Sequence, residues 1–430
     1  MQSMKNSECL CSIARPFSDV PARLLMLTIS RTKPSNGPLV RLFAFCLLSV
    51  CVLIAGCSTR TSGNALFSGP TEPFSEYRQS LAGWLEQHSM PQRSAADIEL
   101  NLPFERKADP AVPFRGVYLL FHGLNDSPYV WHDLSDELTQ RGFDVRAVLL
   151  EGHGSSPVQM LDVSMRSWLD TAYAHFDALR AEGATVHIGG FSMGAVLATL
   201  IARDHPEVAS LLLISPAYES RLNHYLKYSG IYRLYRPWLF GGMILEDNPI
   251  KYNSIPINSG WQFYKLSRHL KRSWRRRDSL AMPVLLVVTV EDSVVDVDYT
   301  EALFKKRFTH PDRLMIKYTG DAARLTQSTD TPHVEVRSAA FPEHRIVSQS
   351  HLGLMYAPDN ALFGKGGSVL VCNGNEYPVF IACLRARQHW YGAQHAASPD
   401  GVPVARTTWN PDWDAVLNRF DERVMRHLQK

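Results

Sequence analysis

The chain has no excess of charge of either sign. Its 45 Lys and Arg nearly offset 42 Asp and Glu, leaving +3 over 430 residues. That is too little to single out a polyphosphate partner, and no aromatic RNA-binding motif or zinc-finger spacing is present. Nucleic acid and a structural metal are therefore not expected. Nucleotide loops are missing too. The stretch Glu151-Gly152-His153-Gly154-Ser155-Ser156 has neither a G-x-G-x-x-G register nor a P-loop lysine, so no cofactor is expected. Cysteine is scarce, with 7 in the chain, and Cys9, Cys11, Cys46, Cys51 and Cys57 all lie near the beginning.

The apolar run from Arg41 to Cys57 accounts for most of those cysteines. With Arg31, Lys33 and Arg41 before it and small residues at its end, it reads as a secretory signal rather than a spanning helix. Its last residues, Ile54-Ala55-Gly56-Cys57, resemble the bacterial lipobox. The resemblance implies cleavage before Cys57 and lipidation of that cysteine, hence anchoring to a membrane. Ser58 rather than Asp after the cysteine implies, by the same analogy, the outer membrane, facing the periplasm. Residues 1–56 are then the signal, with Met26 as the expected true start, and residues 57–74, rich in Ser, Thr, Gly and Pro, are a flexible tether. Of the cysteines beyond it, Cys372 and Cys383 flank Asn373-Gly374-Asn375-Glu376-Tyr377-Pro378. Turn chemistry between apolar runs, in a compartment that permits oxidation, predicts a disulfide closing a hairpin.

From residue 75 to 430 the pattern is that of one folded domain. Ser75 to Gln87 has helical spacing, with Ser75 as cap; Ile98 to Leu102 alternates and predicts an edge strand. Gly116 to Phe121, Asp144 to Leu150, Thr185 to Gly189, Ser210 to Ser215 and Val284 to Val290 are buried strands. Helices are predicted over Tyr129–Gln140, Met165–Ala181 and Ala195–Arg203, with further strands over Leu314–Tyr318 and His333–Ser338. Short apolar strands alternating with helices place the chain in the α/β class with a mostly parallel sheet. About 217–282 the alternation stops and aromatics accumulate, which predicts a helical cap. In it, Phe263, Leu266, Leu270 and Trp274 share one helical face. Lys265, Arg268, Lys271, Arg272, Arg275, Arg276 and Arg277 cover the rest, as on a lid meeting anionic lipid or a solvated surface helix. Trp413 to Leu428 is a final helix that packs on the domain.

Gly190-Phe191-Ser192-Met193-Gly194 stands between a strand and a helix, the setting a nucleophile elbow requires. A serine hydroxyl is a weak nucleophile and needs a base, and the base needs an orienting carboxylate. Asp292, just past the strand ending at Val290, and His351, in a loop beyond the last strands, are the expected partners. Glu291 and Asp296 compete as acids; His344 and His333 compete as bases. His122 and His153 are expected to organise backbone, and His187 to be a core histidine. His122-Gly123-Leu124 follows a strand, so the Leu124 amide, with that of Met193, forms the expected oxyanion hole.

Phe121-His122-Gly123, Glu151-Gly152-His153-Gly154-Ser155, the Ser192 elbow, Asp292 and Ser350-His351 together resemble the α/β-hydrolase superfamily. Within it the resemblance is to the monoacylglycerol lipase, lysophospholipase and serine aminopeptidase-like group. It implies an α/β-hydrolase fold, a mostly parallel central sheet flanked by helices, with a helical cap inserted after the sixth strand. It also implies hydrolysis of carboxylic esters, a lipid or other small-molecule ester being the substrate, through an acyl-enzyme. A thioesterase, acyltransferase or peptidase with the same triad, and a non-catalytic envelope lipoprotein, are the alternatives.

Overall fold

The short apolar runs pair into one eight-stranded sheet. In the computed structural model its strands are β1 (Phe104–Arg106), β2 (Gly116–Phe121), β3 (Phe143–Val148), β4 (Val186–Phe191), β5 (Leu211–Ile214), β6 (Val284–Thr289), β7 (Leu314–Thr319) and β8 (Val334–Ser338). Their order is β1-β3-β2-β4-β5-β6-β7-β8. Only β1 runs antiparallel to its neighbour; every other pair is parallel. The structure describes residues 73–239, 248–252, 254–274, 279–322, 325, 333–373 and 376–426. Met26, the signal, Cys57, Arg275, Arg276 and Arg277 lie outside them.

Parallel strands are covered on both faces, so each contributes to two cores. Leu119, Ile188, Leu213 and Leu286 face α4 (Met165–Ala181) and α5 (Met193–Asp204), meeting Trp168, Phe176, Val196 and Leu200. Leu120, Leu212 and Leu285 face the other way, toward α3 (His132–Gln140) and the final helix α10 (Trp413–Phe420), meeting Leu134, Leu138, Trp413 and Phe420. The period of two along each strand makes the division. Among the described residues no helix is long and apolar enough to cross a membrane.

Several local expectations are corrected. The alternation over residues 98–102 is not an edge strand but part of α2 (Ala95–Asn101). Ser94 accepts from the Asp97 amide, and Asp97 in turn accepts from the Ser94 amide. This capping box fixes a helix start and outweighs three alternating apolar residues. The edge strand is β1, two residues further on. Helix α1 (Phe74–His88) starts with Pro73 as its cap, not Ser75, and buries Phe74, Tyr77, Leu81 and Leu85. The final helix widens after Phe420 into a π-helical turn, Asp421–Met425. Cys372 and Cys383 are bonded, with Cα atoms 5.9 Å apart. Cys383, however, sits on α9 (Tyr377–Arg385), so the bond joins a loop to a helix and closes no hairpin.

The cap follows the fifth strand, not the sixth, and its described part is helical. Its helices are α6 (Asn223–Tyr232) and α7 (Ile257–Ser273). They approach closely where Gly230 meets Trp261: a β-carbon on Gly230 would lie 2.7 Å from the indole ring. As the spacing predicts, α7 buries Phe263, Leu266 and Leu270. It is docked on the domain rather than raised above it. Asn258 donates to the carbonyls of Met160 and Val163, and Ser267 to that of Tyr218. Lys271 pairs with Glu219 and lies over the Tyr299 ring. The basic face of α7 is thus partly engaged within the fold, and among the described residues the large exposed apolar side chains of the cap lie on α6 and the segments flanking it.

Candidate active site

Strand β4 delivers Ser192 to a sharp corner. Ser192 has φ 54° and ψ −115°, a conformation that costs a non-glycine residue on the order of 1–3 kcal/mol and is held by its surroundings. Its amide donates to the Ile214 carbonyl at 3.0 Å, and its carbonyl accepts from the Ala217 amide at 3.1 Å. The flanking glycines are required by contact. A β-carbon on Gly190 would lie 2.4 Å from Ala195 Cα, and one on Gly194 would lie 2.1 Å from the Phe121 carbonyl oxygen.

The geometry brings together three residues distant in sequence. His351 Nε2 is 2.9 Å from Ser192 Oγ, and His351 Nδ1 is 2.6 Å from Asp292 Oδ2. The other oxygen of Asp292, Oδ1, accepts from the amides of Val294 and Val295 at 2.7 and 3.0 Å. Asp292 is 1% exposed. A buried carboxylate with one oxygen taken by backbone amides presents the other in a fixed direction, and an Nδ1–H donor satisfies it. That tautomer leaves Nε2 unprotonated and facing the serine. Chemically the arrangement can take a proton from Ser192 and stabilise the resulting imidazolium.

The competing residues are held elsewhere. Glu291 accepts from the Gly320 amide and the Thr289 hydroxyl. Asp296 caps α8 (Val297–Arg307), accepting from the Tyr299 amide at 2.9 Å. His344 stands edge-on to Trp409, and His333 precedes β8 with φ 69°. His187 is buried, bonded to Ser210 Oγ at 2.7 Å and to the Arg115 carbonyl at 3.2 Å, and burial lowers its pKa to about 4.

Met193 is the first residue of α5, so its amide has no acceptor within the helix. Gly123 lies against the nucleophile: a β-carbon there would be 3.2 Å from Ser192 Cβ. Leu124, whose amide is the other expected oxyanion donor, follows it directly. Two neutral imidazoles brace this loop. His122 donates from Nδ1 to the Gly123 carbonyl and accepts at Nε2 from the Leu150 amide. His153 accepts at Nε2 from the Asn125 amide, 3.1 Å away, and its Nδ1 faces the Leu150 and Glu151 carbonyls. Burial, helped by His153, holds the His122 pKa well below its usual value, and burial lowers that of His153 to about 4.

Sequence reasoning missed the residues that tie this loop to the returning cap. Asn125, at φ 58°, pairs through its side chain with the backbone of Tyr252, accepting from its amide and donating to its carbonyl. Asp126, buried, receives Lys251 Nζ at 3.0 Å. Burial raises the Asp126 pKa and Lys251 opposes the rise. Asn and Asp after a strand signal a turn, but nothing in sequence spacing connects them to residues 127 and 125 positions later.

Residues 113–241 match the profile of the family described as serine aminopeptidase, S33. A thermostable monoacylglycerol lipase of Bacillus sp. (strain H-257) is 22% identical over 227 residues, 52% of this chain and 88% of that protein. Similar solved structures include a soluble variant of the monoglyceride lipase of Saccharomyces cerevisiae, 15% identical with TM-score 0.43, covering 51% of this chain and 82% of that one. The monoacylglycerol lipase of Paleococcus ferrophilus is 19% identical with TM-score 0.40, covering 51% of this chain and 89% of that one.

Proposed function

We propose that this chain, which belongs to the α/β-hydrolase superfamily in its monoacylglycerol lipase and serine aminopeptidase-like group, cleaves lipid-derived carboxylic esters with Ser192, His351 and Asp292. The observation that carries the reading is the continuous hydrogen-bonded chain from Ser192 Oγ through His351 to Asp292. The similar monoacylglycerol lipase of Bacillus supports ester hydrolysis. Ser192 Oγ bonds to the ester carbonyl carbon while its proton passes to His351 Nε2. The carbonyl oxygen, now anionic, faces the amides of Leu124 and Met193. The carbon–oxygen bond to the alcohol then breaks, and His351 returns the proton to the leaving alcohol. Water, deprotonated by His351, cleaves the acyl-enzyme and restores the serine.

The lipid part of the reading draws on the relatives' names and on the cap. Tyr225, Tyr228, Ile231, Tyr232, Leu234 and Tyr235 are each more than half exposed on α6 and the turn after it. Such a grouping of large apolar side chains on a water-exposed surface suits a lipid phase. Lipidation at Cys57 would hold the enzyme beside one, at the outer membrane facing the periplasm. Cys57→Ala is expected to move the protein from the membrane fraction to the soluble fraction on cell fractionation. Unchanged membrane retention would remove the anchor from the proposal.

The central test is covalent. A fluorophosphonate probe is expected to label the protein once, with the adduct on the tryptic peptide containing Ser192. Chromogenic esters of graded acyl length, run beside aminoacyl anilides, then separate esterase from peptidase. The serine aminopeptidase profile keeps the peptidase reading in the test. Faster turnover of anilides than of every ester would establish it instead.

A further inference from the structure

His351 hangs on a loop with no regular structure of its own, yet a base must be placed to within a fraction of an ångström. What fixes the loop comes from the end of the chain. Ser350 Oγ donates to the Thr407 carbonyl at 2.6 Å, and Thr407 Oγ1 donates to the Ser348 carbonyl at 2.7 Å; both contacts are buried. Thr407 therefore grips the chain on both sides of Gln349, immediately before His351. A β-carbon on Gly353 would lie 3.1 Å from both the Thr407 carbonyl and its methyl group, so the far side of the loop is pressed against the same residue.

Thr407 is held in turn. Its amide donates to the Gly392 carbonyl at 3.0 Å, after β9 (Trp390–Gly392) has paired in parallel with β10 (Val404–Arg406). The Ala393 amide donates to Ser348 Oγ at 2.9 Å, and the Val347 amide to the Tyr391 carbonyl at 2.8 Å. On the other side the Arg406 amide donates to the Val371 carbonyl at 2.7 Å, next to Cys372. Cys372 and Cys383 are bonded and share a small core with Phe380 and Ala405. The Arg406 side chain reaches Ser293 Oγ at 3.4 Å, beside Asp292. Two successive residues, Arg406 at the end of β10 and Thr407 after it, thus touch the residue after the acid and the base's loop.

We infer that β9, β10 and Thr407 after them form a strap that positions His351 against Ser192, with Thr407 as its positioning residue and the Cys372–Cys383 disulfide as its clasp. The inference rests on the Ser192–His351–Asp292 reading above and adds to it residues that never touch substrate. Loss of the Thr407 hydroxyl leaves the Ser348 carbonyl buried without its donor and frees one side of the loop.

The test is Thr407→Val in the full chain, with rates normalised to active sites titrated by the burst of a chromogenic ester. The kcat per titrated site is expected to fall about 10- to 100-fold with KM nearly unchanged. Thr407→Ser, which keeps the hydroxyl, is expected to return kcat to near wild type. A residue that only supports the fold would lower the fraction of active sites and leave kcat per site alone, and that result would overturn the strap. Should Thr407→Val not fold, Ser350→Ala breaks the reciprocal bond and is read the same way. Reduction of Cys372–Cys383, verified by thiol titration, is expected to lower kcat per site in the same direction; an unchanged value would remove the clasp. Activity surviving in Ser192→Ala counts against the serine hydrolase reading. Activity lost there but complete in Thr407→Val counts against the strap alone.

Discussion

Ser192→Ala is expected to lower kcat by about a millionfold, and Asp292→Asn by about 10⁴-fold, with neither shifting the thermal midpoint appreciably. Alanine at the elbow keeps the strained φ of 54° and removes only the nucleophile. The asparagine oxygen can still accept from the amides of Val294 and Val295, as Oδ1 of the aspartate does, so the loop has no reason to move. Its amide nitrogen, however, would face His351 Nδ1, where the carboxylate now stands at 2.6 Å. Two donors cannot share that contact, so the imidazole adopts the tautomer protonated on Nε2. That nitrogen then meets Ser192 Oγ with a proton already on it and cannot accept another. Glu291→Gln provides the control. Its carboxylate is committed to Gly320 and Thr289, so kcat should change little. A chromogenic-ester assay on the three variants decides the matter. Wild-type kcat in Asp292→Asn, with activity lost in Glu291→Gln, would transfer the orienting role to Glu291.

What the sequence disclosed and what it hid divide along one physical line. The elbow, the strand before it and the helix after it are local, and their glycines are dictated by contacts within a few residues or with an adjacent strand. Asp292 stands out from its neighbours by the superfamily's strand-then-aspartate pattern, and His344, after Pro342 and Glu343 in a connection, reads as a surface imidazole beside His351; the structure joins Ser192, His351 and Asp292 in one hydrogen-bonded chain. Helix α2 was legible but misread, because the capping box at Ser94 and Asp97 is a stronger local signal than three alternating apolar residues. The disulfide partners could be paired by elimination, while the helix beneath Cys383 could not be seen behind the turn-like residues after Cys372. Asn125 with Tyr252 and Ser350 with Thr407 meet across 127 and 57 residues. No periodicity encodes such contacts; they exist only once the sheet has placed its loops at one end.

Acidification supplies the second large effect, through histidines that the fold keeps neutral. Burial lowers the pKa of His153 and His187 to about 4 and that of His175 to about 3, against about 6.5 in an unfolded chain. For a histidine whose folded pKa is depressed, the unfolded state binds the extra proton. Stability is complete above pH 6.5 and falls as pH drops toward 4, and for His175 toward 3. Each such group can contribute on the order of 3 kcal/mol to that loss, a large part of the 5–15 kcal/mol typical of a domain. Asp126 and Glu151, whose pKa values burial raises, act in the opposite sense, so the whole-protein profile mixes both. A single substitution separates them. Neither ring nitrogen of His175 meets a hydrogen-bond partner. Its ring packs 5.2 Å from that of Tyr77 and 6.4 Å from that of Phe74, and the nearby charge of Arg146 further disfavours an imidazolium. His187, by contrast, would forfeit two hydrogen bonds. His175→Phe keeps a ring of similar size and removes the titrating group. Urea midpoints measured at pH 8 and pH 5 are expected to be nearly equal to wild type at pH 8 and distinctly higher than wild type at pH 5. Equal midpoints for the two proteins at pH 5 would mean that His175 is not among the groups that drive acid unfolding.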